Sequence, residues 1–152
     1  MPVNVRATHE HDFEAVYPLL QSLWQDKGLG REALLSVFKN VLVSPCDFSF
    51  VAEVNKGVTG FVAGVISNNF YHAGRVCYIS TLVVNEAMRG SGIGTKLLNQ
   101  VASYADSKKC AAIELDANFH REKSHAFYEH FGFAKRGYTF TLSSEQTRTI
   151  NK

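Results

Sequence analysis

The residues best suited to chemistry are Arg89, Gly90, Ser91, Gly92, Ile93, Gly94 and Thr95. They follow an apolar run ending in Leu82, Val83 and Val84. After them the period changes, and Ile93, Leu97, Leu98, Val101, Ala102 and Ala105 recur at helical spacing. The stretch therefore reads as strand, glycine loop, helix. Glycines there let successive backbone N–H groups aim at one point, because no Cβ blocks the approach. The helix N-terminus adds about half a positive charge. Such a loop seats a phosphorylated ligand. A dinucleotide fingerprint would need its third glycine one residue after Gly94, and a nucleotide P-loop would need glycine followed by Lys-Ser or Lys-Thr, where this chain has Gly94-Thr95-Lys96. The spacing that fits is Arg-x-x-Gly-x-Gly, on Arg89, Gly92 and Gly94.

Around this loop the pattern predicts a short strand at Asn4–Arg6, then a helix through Phe13, Val16, Leu19, Leu20, Leu23 and Trp24. Pro18 should kink or shorten that helix. A second helix carries Leu34, Leu35, Phe38, Val41 and Leu42. A hairpin of long strands follows, Phe48–Val54 and Val58–Phe70, turning at Asn55-Lys56-Gly57. The strand Val76–Val84 enters the glycine loop, a third helix runs to about Lys108, and Ala111–Ala117 is a strand parallel to Val76–Val84. A short helix at Ser124–Phe131 stops at Gly132. Phe133–Leu142 reads as a last hairpin turning near Arg136-Gly137, and residues 143–152 as a frayed polar tail. The expectation is one α/β (mixed α+β) domain over 1–152, with its core at about 3–142. Its order is β-α-α-β-β-β-α-β-α-β-β, around a central mixed twisted sheet of six to seven strands.

The glycine loop, Asn118 just past the fifth strand, and Ala126-Phe127-Tyr128-Glu129-His130-Phe131-Gly132-Phe133 occur in that order. Together they resemble the GCN5-related N-acetyltransferase (GNAT) family over about residues 3–142. The resemblance implies acetyl-CoA as cofactor, held by residues 89–95, Asn118 and Tyr128, with Arg89 as a lid or loop brace. It implies that backbone groups of Leu82 and Val84 pair with the pantetheine chain as an added strand. The two parallel strands should splay after Val83, and a bulge near Leu82-Val83 should free an N–H for the thioester oxygen. Tyr128 is the expected general acid. A phenol with pKa about 10 stays protonated at neutral pH and can donate to a thiolate of pKa about 8.5. The implied reaction is direct attack of a primary amine through a tetrahedral intermediate.

A primary amine of pKa about 10 is almost wholly protonated at pH 7, so a base or water chain should help. Many relatives carry an acid on the strand before the loop, but Val76–Val84 has none. Tyr78 and Ser80, on one face by alternation, and Tyr71 and His72, in the preceding loop, are the candidates for lining the acceptor. Glu53, Glu114 and Asp116 are further carboxylates to weigh. His120, His125 and His130 do not converge on a helix, so no metal is expected. The acceptor reads as a small amine, with aminoalkylphosphonates, aminoglycosides and polyamines left open. Acetylation of a protein lysine or N-terminus, and a non-catalytic acyl-CoA-binding module, are the alternatives.

Composition sets the remaining bounds. Of 152 residues, 45% are apolar and 20% charged, with a net charge of +2. That balance suits a globular domain and argues against a nucleic-acid partner. No apolar run reaches membrane-spanning length and the first residues lack a signal-peptide pattern, so no membrane partner is expected. The widely spaced Cys46, Cys77 and Cys110 suit reduced thiols in the cytoplasm. The resemblance also allows a homodimer.

Overall fold

The computed structural model describes residues 2–150; Met1, Asn151 and Lys152 lie outside the described residues. The elements are β1 (Asn4–Ala7), α1 (Phe13–Leu23), α2 (Arg31–Val43), β2 (Asp47–Val54), β3 (Gly57–Asn69), β4 (Gly74–Val84), α3 (Ile93–Ser107), β5 (Ala112–Leu115), α4 (Glu122–Phe131) and α5 (Ser144–Ile150). The chain divides into two compact units at Leu115/Asp116.

The first unit holds the sheet, ordered β1-β2-β3-β4-β5. The first four strands are antiparallel in succession, and β5 runs parallel to β4. On one face α1 and α2 bury Phe13, Val16, Leu19, Leu20 and Phe38 against Val51, Phe61, Ala63 and Val83. On the other, α3 buries Ile93, Leu97, Leu98, Val101 and Ala105, and its Tyr104 ring packs on Phe48 and Phe50 at 5.3 and 5.7 Å. The helix α1 runs unbroken through Pro18. The carbonyl that Pro18 cannot bond belongs to Glu14, which like Pro18 is exposed, so water can take it and the helix survives.

Four expectations are corrected. The sheet has five strands among the described residues, not six or seven, because 133–142 carry no strand. Tyr138, Phe140 and Leu142 keep a period-two pattern but lie exposed, and alternation alone does not make a strand without a paired neighbour. The tail is not simply frayed. Ser143 caps α5, its hydroxyl accepting from Gln146 N–H at 3.1 Å while its own N–H donates to Gln146 Oε1 at 2.9 Å. The parallel pair parts much earlier than Val83: β4 and β5 are in register only from Val76/Ala112 to Ile79/Leu115. Finally, the bulge lies at Ser80 and not at Leu82-Val83. The β3–β4 register steps from Gly64↔Ile79 to Ala63↔Thr81, leaving Ser80 as the extra residue.

The bulge changes what the rest of β4 presents. Ile79 pairs with Gly64, where an added Cβ would strike the Phe48 ring, so Ile79 faces α3. Val83 pairs with Phe61 in the α1/α2 core. Four residues apart on a regular strand, both would face the same way; the extra residue at Ser80 puts them on opposite faces.

Candidate active site

The loop after β4 is built from local hydrogen bonds. Asn85 N–H donates to Thr59 O at 2.7 Å, ending the β3–β4 ladder. The Asn85 side-chain oxygen accepts from Ala87 N–H at 3.0 Å, starting a 3-10 turn over Glu86–Met88. The Arg89 Nε donates back to Val84 O at 3.3 Å, and the Ser91 hydroxyl donates to Met88 O. Arg89 is thus a brace of the loop. Gly90 and Gly92 adopt φ of +81° and +86°, a region that costs any other L-residue about 1–2 kcal/mol. The first helical bond of α3 is Lys96 N–H to Gly92 O at 3.1 Å. The N–H groups of Ile93, Gly94 and Thr95 precede it and point out of the helix end.

Backbone phase on β4 follows from the same ladder. Asn85 donates toward β3, so by antiparallel alternation Val83 and Thr81 also bond toward β3, while Leu82 and Val84 direct their N–H and C=O the other way. On that side β5 ends at Leu115, opposite Ile79. Among the described residues of the first unit, Ser80–Val84 therefore form a free strand edge of roughly 16 Å, running from the fork of the two parallel strands to the glycine loop. Ahead of the bulge the phase is reversed: Arg75 O accepts from Ala111 N–H at 2.7 Å, so Arg75, Cys77 and Ile79 bond toward β5. The bulge at Ser80 is what turns Leu82 and Val84 outward. Gly64 makes it possible, since a Cβ there would lie 2.0 Å from Tyr78 O.

The acceptor candidates sit at the other end of β4. A turn closed by Ala73 N–H to Phe70 O at 3.1 Å, with His72 N–H bonded to Asn69 Oδ1 at 3.0 Å, sets the His72 ring. Its Nε2 lies 3.3 Å from Glu114 Oε2, and both side chains are mostly buried. Tyr71 is largely exposed and meets the His72 ring edge-on at 5.0 Å. Tyr78 is the registered neighbour of Glu114 across the parallel pair. Ser80 departs from its expected partnership with Tyr78: the bulge breaks the alternation, and its hydroxyl donates to Ala63 O at 3.2 Å. Of the three carboxylates, Glu53 is bonded to Arg6. Glu114 stands out only once the structure shows it one residue from the end of the pairing, and strand-end position is the signal that could have singled it out.

The second unit carries Asn118 and Tyr128. Asn118 is exposed, and its carbonyl accepts from Arg121 N–H at 3.0 Å and lies 2.8 Å from His125 Nε2. Tyr128 is half-buried in α4, with Phe127 and Phe133 rings at 5.4 and 5.8 Å. Burial pushes its phenol above the usual value, and Arg121 pulls weakly the other way. Among the described residues no three His, Cys, Asp or Glu side chains group to hold a metal ion.

The model of the acetyltransferase (GNAT) family matches residues 13–133. N-alpha-acetyltransferase 30 of Schizosaccharomyces pombe is 33% identical over 101 residues, covering 64% of this chain and 65% of that one. The glucosamine 6-phosphate N-acetyltransferase of Trypanosoma brucei brucei is 35% identical over 77 residues, half of each chain. The chain spans between 44% and 65% of the length of the curated relatives it matches. An aminoglycoside N-acetyltransferase solved in complex with CoA superposes with a TM-score of 0.85 over 94% of this chain and 95% of its own, at 18% identity, and so shares the fold. With a family match across most of its length and the strand, glycine loop and helix that carry it, the chain belongs to the GNAT acetyltransferase family.

Proposed function

We propose that the protein transfers an acetyl group from acetyl-CoA to a primary amine of a small molecule. The observation that carries this reading is the continuous track on the first unit, from the α3 N-terminus and glycine loop along the free edge of β4 to the fork at Ile79. The donors suit a coenzyme A diphosphate. They are N–H groups at a helix start, and a Cβ at Gly90 or Gly92 would meet no protein atom within 4 Å, so the backbone is open to approach. The N–H and C=O of Leu82 and the N–H of Val84 suit an amide-bearing arm, while Val84 O is taken by Arg89.

When bound, acetyl-CoA supplies the acetyl group as an activated thioester. The remaining work falls to side chains and backbone. Residues 89–95 hold the phosphates, with Arg89 keeping the loop closed on Val84. The outward N–H of Leu82 is the donor nearest the fork and the proposed hydrogen-bond donor to the carbonyl oxygen, an interaction worth about 3 kcal/mol. Tyr128 is the proposed proton donor at its hydroxyl, and a raised phenol pKa keeps that proton in place at neutral pH.

The Trypanosoma relative's name supports a small amine as acceptor. The yeast relative's name supports a second reading, acetylation of an α-amino group. The test is release of free thiol from acetyl-CoA over a panel of amines and N-terminal peptides, with mass spectrometry of the acceptor. Thiol release matched by an acetylated small amine is the expected result. Tight acetyl-CoA binding with no thiol release for any acceptor would instead leave a binding module.

A further inference from the structure

The acceptor's charge can be read from the fork. We propose that Glu114, held by His72, is the anionic subsite for the acceptor, and that the acceptor is an amine carrying more than one positive charge. This rests on the acetyl-transfer reading and narrows its substrate class.

An arm lying along the β4 edge from the glycine loop points its reactive end toward Ile79/Leu115, where the parallel strands part. Glu114 is one residue before that point on β5. Its registered neighbour Tyr78 adjoins Ile79, which faces α3, so Tyr78 and Glu114 occupy the opposite face, on the side of α1 and α2. A carboxylate therefore stands at the fork itself, beyond the Leu82 N–H proposed for the carbonyl oxygen and on the side away from the glycine loop.

The surroundings favour a cation. His72 Nε2 holds Glu114 Oε2 at 3.3 Å from a turn fixed by Asn69. The rings of Tyr71 and Tyr78 flank this pair in sequence and register, and aromatic faces attract ammonium groups. An aminoalkylphosphonate would want a cation here. The one cation on β4, Arg75, lies three residues before Tyr78 on the opposite face, and its guanidinium donates to Lys108 O at the end of α3. The pair could instead be a strut tying the β3–β4 turn to β5, and a strut would change stability without sorting amines by charge.

The experiment titrates spermidine, kanamycin and 2-aminoethylphosphonate calorimetrically into the protein saturated with CoA, for the wild type and Glu114→Gln. Steady-state kcat and KM are measured with each on acetyl-CoA. The wild type is expected to bind spermidine or kanamycin, and the two arms distinguish a linear polyamine from an aminosugar. Phosphonate binding should be at least tenfold weaker. Glu114→Gln should raise KM for the polycation about tenfold, leave KM for acetyl-CoA unchanged and abolish the discrimination. A wild type that prefers the phosphonate, or binds no polycation, overturns the proposal. So does a folded Glu114→Gln with discrimination intact. If that variant does not fold, the wild type decides through salt: polycation affinity should fall steeply with ionic strength, and a flat response overturns the proposal. Failure of CoA itself to bind would sink the broader reading, and the CoA titration reports that separately.

Discussion

Tyr128 and Gly92 show how much a single residue can carry. The phenol of Tyr128 is the one side chain named from the aromatic signature for proton transfer, and its burial among Phe127 and Phe133 keeps it un-ionised. Tyr128→Phe should lower kcat about 100-fold while leaving the acetyl-CoA dissociation constant within a factor of two, because only the hydroxyl is lost. An unchanged kcat across the pH range would remove Tyr128 from the mechanism. Gly92 makes the complementary case. A side chain there meets no protein atom but must adopt φ of +86° and project from the loop. Gly92→Val should cost about 1–2 kcal/mol of stability through that backbone strain. Its loss of CoA affinity should be far larger, at least tenfold by calorimetry. Equal affinity with the variant folded would show that residues 89–95 do not hold the diphosphate.

At the scale of elements, β4 decides where a ligand can lie. Its bulge at Ser80 depends on Gly64, whose missing Cβ leaves room for Tyr78 O. Gly64→Ala must move backbone, so the expected cost is about 3 kcal/mol. Because the bulge sets which backbone groups face the free edge, CoA binding should weaken alongside the drop in melting temperature. A variant with wild-type melting would disprove the bulge's dependence on Gly64. The glycine loop, α3 and the β4–β5 pairing were legible in the sequence because each rests on local spacing: Arg89, Gly92 and Gly94, then Leu97, Leu98 and Val101. The family resemblance puts the bulge two to three residues too late because register belongs to a pair of strands. Nothing in Ser80-Thr81-Leu82-Val83 says which residue goes unpaired. Periodicity overpredicts the last hairpin for a related reason. Tyr138, Phe140 and Leu142 have strand periodicity, but a strand needs a neighbour, and these three are exposed. The family resemblance points to Leu82 and Val84, but their outward direction depends on where the extra residue lies.

For the whole molecule, two groups outside the proposed site set the pH range over which the first unit should be stable. Asp12 is 4% exposed and takes both guanidinium donors of Arg6, at 2.8 and 2.9 Å, plus His9 N–H at 2.7 Å. These bonds tie β1 to the start of α1. The Arg6 hydrogen bonds hold the Asp12 carboxyl below its usual value against the opposing effect of burial. A lowered folded pKa means the stabilisation is complete above the unfolded value of about 3.9 and is lost as pH falls through the folded one. Cys77, fully buried beneath α3, behaves oppositely. Burial pushes its thiol up to about 12 from 9.0, so its contribution is complete below pH 9 and is lost as pH rises toward 12. Chemical denaturation across pH should therefore give a plateau falling at both ends. Asp12→Asn should lower the plateau by about 2 kcal/mol, since it removes the charge-assisted bonds to Arg6 and leaves that guanidinium to Glu53 alone, and should flatten the acid limb. Cys77→Ala should cost stability at every pH through the lost packing yet flatten the alkaline limb between 9 and 12. An alkaline limb as steep in Cys77→Ala as in the wild type would assign that loss to other groups, Tyr104 first, whose phenol burial also raises.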